Sequence, residues 1–239
     1  MKKILVLIPA FNAGKTISQL IEQISANNIE KDNILVVDDG SFDSTYEIAS
    51  SCGVNVLQHK KNKGKGEALK TGFEYALREG YSGVITLDAD LQHDPKFIPE
   101  FIRELVGVRQ RRTSPAKRVS QRPQSDILIG TRTINLKKMP FPRWLTNNLT
   151  SIIVSILGDT KVRDSQSGYR YISAEVLKSI KLKTKKYELE SELLIKAGRR
   201  KFKIDPVPIS TIYEGSKSFI NPLVDTGRFI KLMWKSLFW

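Results

Sequence analysis

Short, wholly apolar runs alternate along this chain with longer stretches in which apolar residues recur every three or four positions. The run Ile4-Leu5-Val6-Leu7-Ile8 has no polar position, the pattern of a strand covered on both faces of a sheet. The loop Pro9-Ala10-Phe11-Asn12 ends it, and Ile17, Leu20, Ile21 and Ile24 then fall at helical spacing. Residues 34–37 predict a second strand that ends in Asp38-Asp39-Gly40-Ser41. Asp43 or Ser44 caps a helix running through Ile48, and residues 54–57 form a third strand. The basic turn Asn62-Lys63-Gly64-Lys65-Gly66 opens a helix with Leu69, Phe73 and Leu77 inside; such a turn favours phosphate, although it lacks Walker A spacing. Residues 84–87 give a fourth strand, and Asp94-Pro95 supplies the N-cap and first residue of the next helix. This alternation predicts an α/β fold with a mostly parallel central sheet flanked by helices.

The pattern changes after residue 106. Residues 107–125 contain Arg109, Arg111, Arg112, Lys117, Arg118 and Arg122 and no acid, with Pro115 and Pro123 interrupting any helix. They read as a solvated basic insertion that suits anionic lipid headgroups, with nucleic acid the less favoured partner. Residues 126–130 resume the sheet, with Arg132 at its end, and 145–157 form an apolar-rich helix that is either core or the lining of a groove. The polar turn Asp164-Ser165-Gln166-Ser167-Gly168-Tyr169-Arg170 precedes a strand and a short helix over 175–180. A helix over 188–198 carries Glu188, Glu190 and Glu192, expected to be mostly solvated or capping. Residues 204–209, with Pro206 and Pro208, read as an edge strand. In the tail, 223–239, Arg228, Lys231 and Lys235 share one arc of a helical wheel. Phe229, Ile230, Met233, Trp234, Leu237 and Phe238 fill much of the rest. That is the pattern of an interfacial membrane helix, the alternative being docking on the rest of the chain or on a second copy.

The fourth strand carries the candidate chemistry. It delivers Asp88 and Asp90 to its C-terminal end, where open α/β sheets bind ligands. Two carboxylates this close repel unless a cation lies between them, and hard oxygen donors suit Mg2+ or Mn2+ bridging nucleotide phosphates. Gln92 adds a neutral oxygen. The plain alternative is a turn capped by two aspartates.

Composition narrows the field. The chain has 239 residues, 40% of them hydrophobic, enough for one large domain or a domain with an appendage. Its single cysteine, Cys52, rules out an internal disulfide framework and fits a reducing compartment, hence a cytoplasmic setting. His59 and His93 are the only histidines, which argues against a histidine zinc site, and no Gly-x-Ser-x-Gly elbow supports a serine hydrolase. The apolar start is too short for a signal peptide, and no run of about 20 apolar residues spans a bilayer. The formal charge of +14 demands an anionic partner.

Five motifs, in order, carry a resemblance. They are Ile8-Pro9-Ala10-Phe11-Asn12, Val36-Val37-Asp38-Asp39-Gly40-Ser41, the 62–68 turn, Asp88-Ala89-Asp90-Leu91-Gln92-His93 and Ser167-Gly168-Tyr169-Arg170. Over roughly residues 3–220 the chain resembles inverting family 2 glycosyltransferases of the GT-A fold, in the dolichyl-phosphate mannose synthase and polyprenyl-phosphate glycosyltransferase branch. The resemblance implies that Pro9, Ala10, Phe11, Asp38 and Asp39 hold the nucleoside. Asp88, Asp90 and Gln92 would hold Mg2+ or Mn2+, and Asp88, Ala89 and Lys65 the donor diphosphate. Arg132 and Arg143 would receive a lipid phosphate, and a mobile loop containing Gly215-Ser216-Lys217 would close over the diphosphate. The implied domains are a catalytic unit, 1–210, and a loop with a membrane-associated amphipathic helix, 211–239. The sequence departs from the pattern at Ala13, at Gly130-Thr131-Arg132-Thr133 and at Ile212-Tyr213-Glu214.

The implied reaction moves a hexose from a nucleoside diphosphate sugar, GDP-mannose or UDP-glucose, to a polyprenyl phosphate at the membrane surface. Asp90 and Lys217 would stabilise the leaving diphosphate. A phosphate acceptor needs positioning more than deprotonation. A sugar hydroxyl acceptor, the rival, demands a general base, for which Asp164 is the candidate. A non-enzymatic rival is a basic nucleic-acid-binding protein, which leaves the carboxylate pair unexplained and lacks interleaved aromatics.

Overall fold

A computed structural model describes residues 3–106, 125–132, 141–210, 222–236 and 239. The basic insertion apart from Ser125, and the Gly215-Ser216-Lys217 loop with the adjoining 212–214, lie outside the described residues, as does the side chain of Arg143.

The apolar runs form strands β1 (Ile4–Ala10), β2 (Ile34–Asp38), β3 (Asn55–Gln58), β4 (Gly83–Thr86), β5 (Ile127–Arg132), β6 (Arg170–Ser173) and β7 (Ile204–Ile209). They make one sheet in the order β3-β2-β1-β4-β6-β5-β7. β1 pairs in parallel with β2 and β4, and β2 with β3; β6 runs antiparallel to both β4 and β5, and β7 lies parallel to β5. The mostly parallel sheet expected from the sequence is therefore present, with one reversed strand. That reversal brings the start of β6 to the same edge as the ends of β1, β2, β4 and β5.

Alternate strand residues face opposite helical layers. Leu5, Leu7, Leu35, Val37 and Val84 join a core with α3 (Lys65–Arg78), α6 (Ala174–Ser179) and α7 (Glu188–Arg199). Val6, Ile8, Val36, Ile85 and Leu87 join the other, with Ile17, Leu20, Ile21 and Ile24 of α1 (Ile17–Ser25) and Ile98 and Phe101 of α4 (Ile98–Val106). Both faces of the sheet are covered, which is why β2 is buried along its whole length. Asp94 accepts from Lys96 N and Pro95 follows it, so the expected cap is present, opening a 3-10 turn that runs into α4. In β7, Val207 and Ile209 face inward while Pro206 and Pro208 point out, the arrangement an edge strand permits.

α7 is the covered helix of its layer. On it lie α5 (Phe141–Gly158) and α8 (Pro222–Ser236), and Arg199 joins their far ends, donating to Leu157 O at 2.7 Å and Ser236 O at 2.6 Å. A guanidinium between two helix C-termini meets the negative ends of both dipoles. This arrangement overturns one sequence expectation. Glu190 and Glu192 are buried rather than solvated, because their helix is packed against α3, α5 and α8, and each is matched by cations or amides. In the tail Leu232 and Ser236 dock inward, as the docking alternative expects, while Ile230 and Trp234 are exposed. On α5, Val154 is core and Leu149, Ile152 and Ile156 face outward. No described helix is long and apolar enough to cross a membrane.

Packing of α3 on β1 is close enough to require a glycine. A Cβ at Gly72 would run into the Leu7 side chain. Gly72→Ala is therefore expected to destabilise the protein by about 1–3 kcal/mol, read as a lower denaturant midpoint with an unchanged slope.

Candidate active site

Four loops meet at the edge where β1, β2, β4 and β5 end. The first two are laced together. Asn12 N donates to Ser41 Oγ at 2.8 Å and Phe42 N to Asn12 Oδ1 at 2.9 Å, while Ala13 N reaches Thr45 Oγ1 at 2.8 Å. Gly40 has a φ of +72°, and a Cβ there would lie 2.6 Å from the Lys61 carbonyl carbon, so only glycine fits. Pro9 and Ala10 are buried and Phe11 is half-buried. Phe42, 89% exposed, stands edge-on to Phe11 at 6.0 Å between ring centres. An aromatic left bare beside this cleft is a base-stacking candidate that sequence reasoning missed. Its signal was a phenylalanine directly after Asp38-Asp39-Gly40-Ser41.

Asp38 and Asp39 are buried and bonded within the protein. Asp38 accepts from Ser41 N at 3.1 Å and Gln58 Nε2 at 3.0 Å. Asp39 accepts from Lys63 N at 3.0 Å and Gly64 N at 2.7 Å, and pairs with His59 Nδ1 at 2.7 Å. The basic turn thus corrects the expectation of a phosphate cradle. The protein's own carboxylate takes two amides just before α3, and Glu67 N is taken by Lys185 O at 3.1 Å. A Cβ at Gly66 would lie 2.6 Å from the Lys185 carbonyl carbon, so this glycine admits a neighbouring loop rather than a ligand.

What α3 presents to the cleft is the Lys65 ammonium. Its Nζ lies 2.6 Å from Asp88 Oδ1 and 3.0 Å from Glu190 Oε1, with the Tyr187 ring centre 5.8 Å away. Burial works against this charge, but Asp88 and Glu190 outweigh it and hold Lys65 protonated above the ordinary lysine range. Burial likewise works to raise Asp88, but Lys65 overrides it and holds that carboxyl below the ordinary range. Asp90 behaves oppositely. Partial removal from water, and next the Asp88 carboxylate, push it above the ordinary range. Its Oδ1 accepts from Gln92 N at 3.0 Å, closing a turn that leaves Leu91 in left-handed backbone at φ 60°. A Cβ at Gly168 would collide with the Asp88 carboxylate, so this glycine in the turn before β6 is required.

This donor set fits a hard divalent cation. Of the two carboxylates, Asp88 has a counter-charge in Lys65, whereas Asp90 is left with an amide and a repelling neighbour. Among the described residues no three acidic, histidine or cysteine side chains form a closed cage, so ligand oxygens would have to complete the sphere. His93 is buried beside the pair, its ring 5.6 Å from that of Tyr169, and its Nδ1 has no hydrogen-bond partner.

On the other side of β4, Arg132 and Asp164 form a two-pronged pair. Nε donates to Oδ2 at 2.6 Å and Nη2 to Oδ1 at 2.7 Å, with both side chains about nine-tenths buried. Burial opposes ionisation of Asp164, yet Arg132 outweighs it and holds the carboxyl below its ordinary range. Arg170, fully buried, donates to Ser165 O, Ser167 O and Glu190 O at 2.7–2.9 Å, tying the 164–168 turn to α7. The structure therefore brings Lys65, Asp88, Asp90 and Glu190 to one cluster and Arg132 and Asp164 to another. Glu190 was missed as a site residue, since nothing local distinguishes it from its neighbours on α7.

The glycosyl transferase family 2 profile matches residues 5–155. An uncharacterized protein of Methanocaldococcus jannaschii is 37% identical over 243 residues, covering 99% of this chain and 93% of that protein. UDP-N-acetylglucosamine--dolichyl-phosphate N-acetylglucosaminyltransferase of Methanococcus voltae is 34% identical, covering 89% of this chain and 86% of that protein. Among solved structures, glucosyl-3-phosphoglycerate synthase from Mycobacterium tuberculosis, in complex with Mn2+, UDP and phosphoglyceric acid, superposes with a TM-score of 0.68 at 23% identity. The superposition covers 99% of this chain and 77% of that one, and shows the same fold.

The Arg132–Asp164 pair sets a pH dependence. Asp164 is depressed in the folded protein, so its contribution is fully present above the unfolded pKa of about 3.9 and is lost as pH falls from there through the folded value. Asp164→Asn should lower stability at pH 7 by about 3–5 kcal/mol and flatten the acid limb of the stability profile, measured by denaturant unfolding between pH 7 and 2.

Proposed function

The chain belongs to glycosyl transferase family 2, and from that premise we propose that it transfers a hexose from a nucleoside diphosphate sugar to a polyprenyl phosphate, with inversion at the anomeric carbon. The observation that carries the choice of acceptor is the commitment of Asp164 to Arg132. A hydroxyl acceptor needs a base. Asp164, held ionised at a low pKa by an arginine, is a poor one, and its two oxygens are already bonded. A phosphate monoester, with a second pKa of roughly 6, reaches the cleft already an anion and needs only orientation. Arg132, its guanidinium set by Asp164, supplies that orientation together with Arg143. The dolichyl-phosphate substrate in the name of the Methanococcus voltae relative supports the same reading.

On the donor side, Phe11, Phe42 and the two interlocked loops take the nucleoside, walled by Asp38 and Asp39. Asp88, Asp90 and Gln92 would hold a divalent cation, Mg2+ or Mn2+, which would supply positive charge to stabilise the leaving diphosphate. Lys65, already protonated between Asp88 and Glu190, adds a second positive charge at the same place, and Lys217 a third.

The setting follows from the acceptor. Leu149, Ile152 and Ile156 on α5 and Ile230 and Trp234 on α8 are exposed, and the net charge is +14. These features support peripheral seating on an anionic cytoplasmic membrane face, with residues 1–210 as the catalytic unit and 211–239 as its loop and surface helix.

Two experiments test the reading. With radiolabelled nucleotide sugars and membrane extract, the label is expected in a lipid phosphate product. Asp164→Asn should raise the KM for polyprenyl phosphate by roughly tenfold to a hundredfold and affect kcat less. If label enters only soluble hydroxyl acceptors, and Asp164→Asn abolishes that turnover, the lipid phosphate reading is lost. Asp90→Ala should lower kcat by roughly a hundredfold or more and remove the divalent-ion dependence of nucleoside diphosphate binding, measured by calorimetry with and without Mn2+.

A further inference from the structure

Glu192, two residues along α7 from Glu190, is fully buried, and its carboxylate is surrounded by hydrogen-bond donors. Its carboxylate accepts from Lys183 N at 2.9 and 3.0 Å, Thr184 N at 2.8 Å and Thr184 Oγ1 at 2.7 Å, and pairs with Lys196. Lys196 also donates to Lys181 O at 2.7 Å. The bonds to Lys183 and Thr184, and that from Lys196 to Lys181 O, fasten the segment between α6 and α7, while the Glu192–Lys196 pair lies within α7 itself. That segment in turn closes on the start of α3: Lys185 O accepts from Glu67 N, the Lys185 carbonyl and the Lys186 side chain fill the space a side chain at Gly64 would need, and the backbone of Lys185 and Lys186 fills that at Gly66. Tyr187, next in the chain, lies by the Lys65 ammonium.

We propose that Glu192 is a positioning residue for donor binding: it pins residues 183–187 against Gly64 and Gly66 and so fixes the Lys65 ammonium where the diphosphate arrives. The inference rests on the donor reading given above. The carboxylate does not touch the donor. It acts through the loop backbone, which cannot shift without opening the Glu67–Lys185 bond at the first turn of α3, the turn that carries Lys65.

The test is affinity for UDP and GDP in the presence of Mn2+, measured by calorimetry on the full chain. Glu192→Gln keeps the shape but turns an amide NH2 toward amide donors. It should weaken nucleoside diphosphate binding on the order of tenfold and leave the KM for polyprenyl phosphate unchanged within about twofold. Gly66→Ala, which pushes the loop from the opposite side, should weaken binding in the same sense. In a Lys65→Met background Glu192→Gln should have little further effect, because both changes then act on one contact. Equal affinity in wild type and Glu192→Gln, or losses that simply add with Lys65→Met, overturns the proposal while leaving the donor reading intact. A wild-type chain that binds neither nucleotide overturns both. Should Glu192→Gln not fold, Thr184→Val removes a single bond to the same carboxylate, and unchanged affinity in that variant would overturn the proposal.

Discussion

Four carboxylates, Asp88, Asp90, Asp164 and Glu190, converge on one edge of the sheet, and the rest of the site is built to make that tolerable. Two like charges about 4 Å apart repel by about 4 kcal/mol at an effective dielectric near 20. Against a total stability of 5–15 kcal/mol for an ordinary domain, such repulsion left unmatched would be ruinous. Lys65 lies between Asp88 and Glu190, Arg132 grips Asp164, and the buried Arg170 stands behind them, bonded to carbonyls of the turn and of α7. Asp90 is the member for which these cations do least. This cluster thus has its charge nearly balanced, with one demand for positive charge outstanding at Asp90.

Most of the framework was legible in the sequence because it rests on local patterns. Unbroken apolar runs gave the strands covered on both faces, the Ile17–Ile24 spacing gave the first helix, Asp94-Pro95 gave a cap, and two prolines marked the edge strand. The loops that end β1, β2 and β4 were placed correctly at one edge, since parallel strands leave no other place for them. The reversed direction of β6 carries no such mark: the four residues Arg170-Tyr171-Ile172-Ser173 read the same in either sense.

What escaped notice depends on partners far apart in the chain. Glu190 and Glu192 look like solvated acids on an amphipathic helix, and only the assembled layer shows that α7 is covered and that Lys65 and the amides of Lys183 and Thr184 await them. Asp164 and Arg132 are separately recognisable, but their union is not, and it changes Asp164 from a candidate base into the group that orients an arginine. The glycines of the basic turn misled for a related reason. Glycine marks close approach by something, and here that something is the backbone of Lys185 and Lys186 and the carboxylate of Asp39.

The antiparallel strand β6 sits where two halves of the edge meet. Everything on the β1–β2–β3 side belongs to loops that leave the sheet in one direction, whereas the Asp164–Arg170 turn enters it from the other, flanked by β5 and α5. The boundary is nonetheless closely tied: β4 pairs with β6 along Gly83–Thr86, Thr86 Oγ1 donates to Gly168 O at 2.7 Å, Gly168 packs against Asp88, and Arg170 donates to Glu190 O. A change in the short stretch between α5 and β6 is therefore felt at Asp88 as well as at Arg132, so the two clusters cannot be reshaped independently of one another.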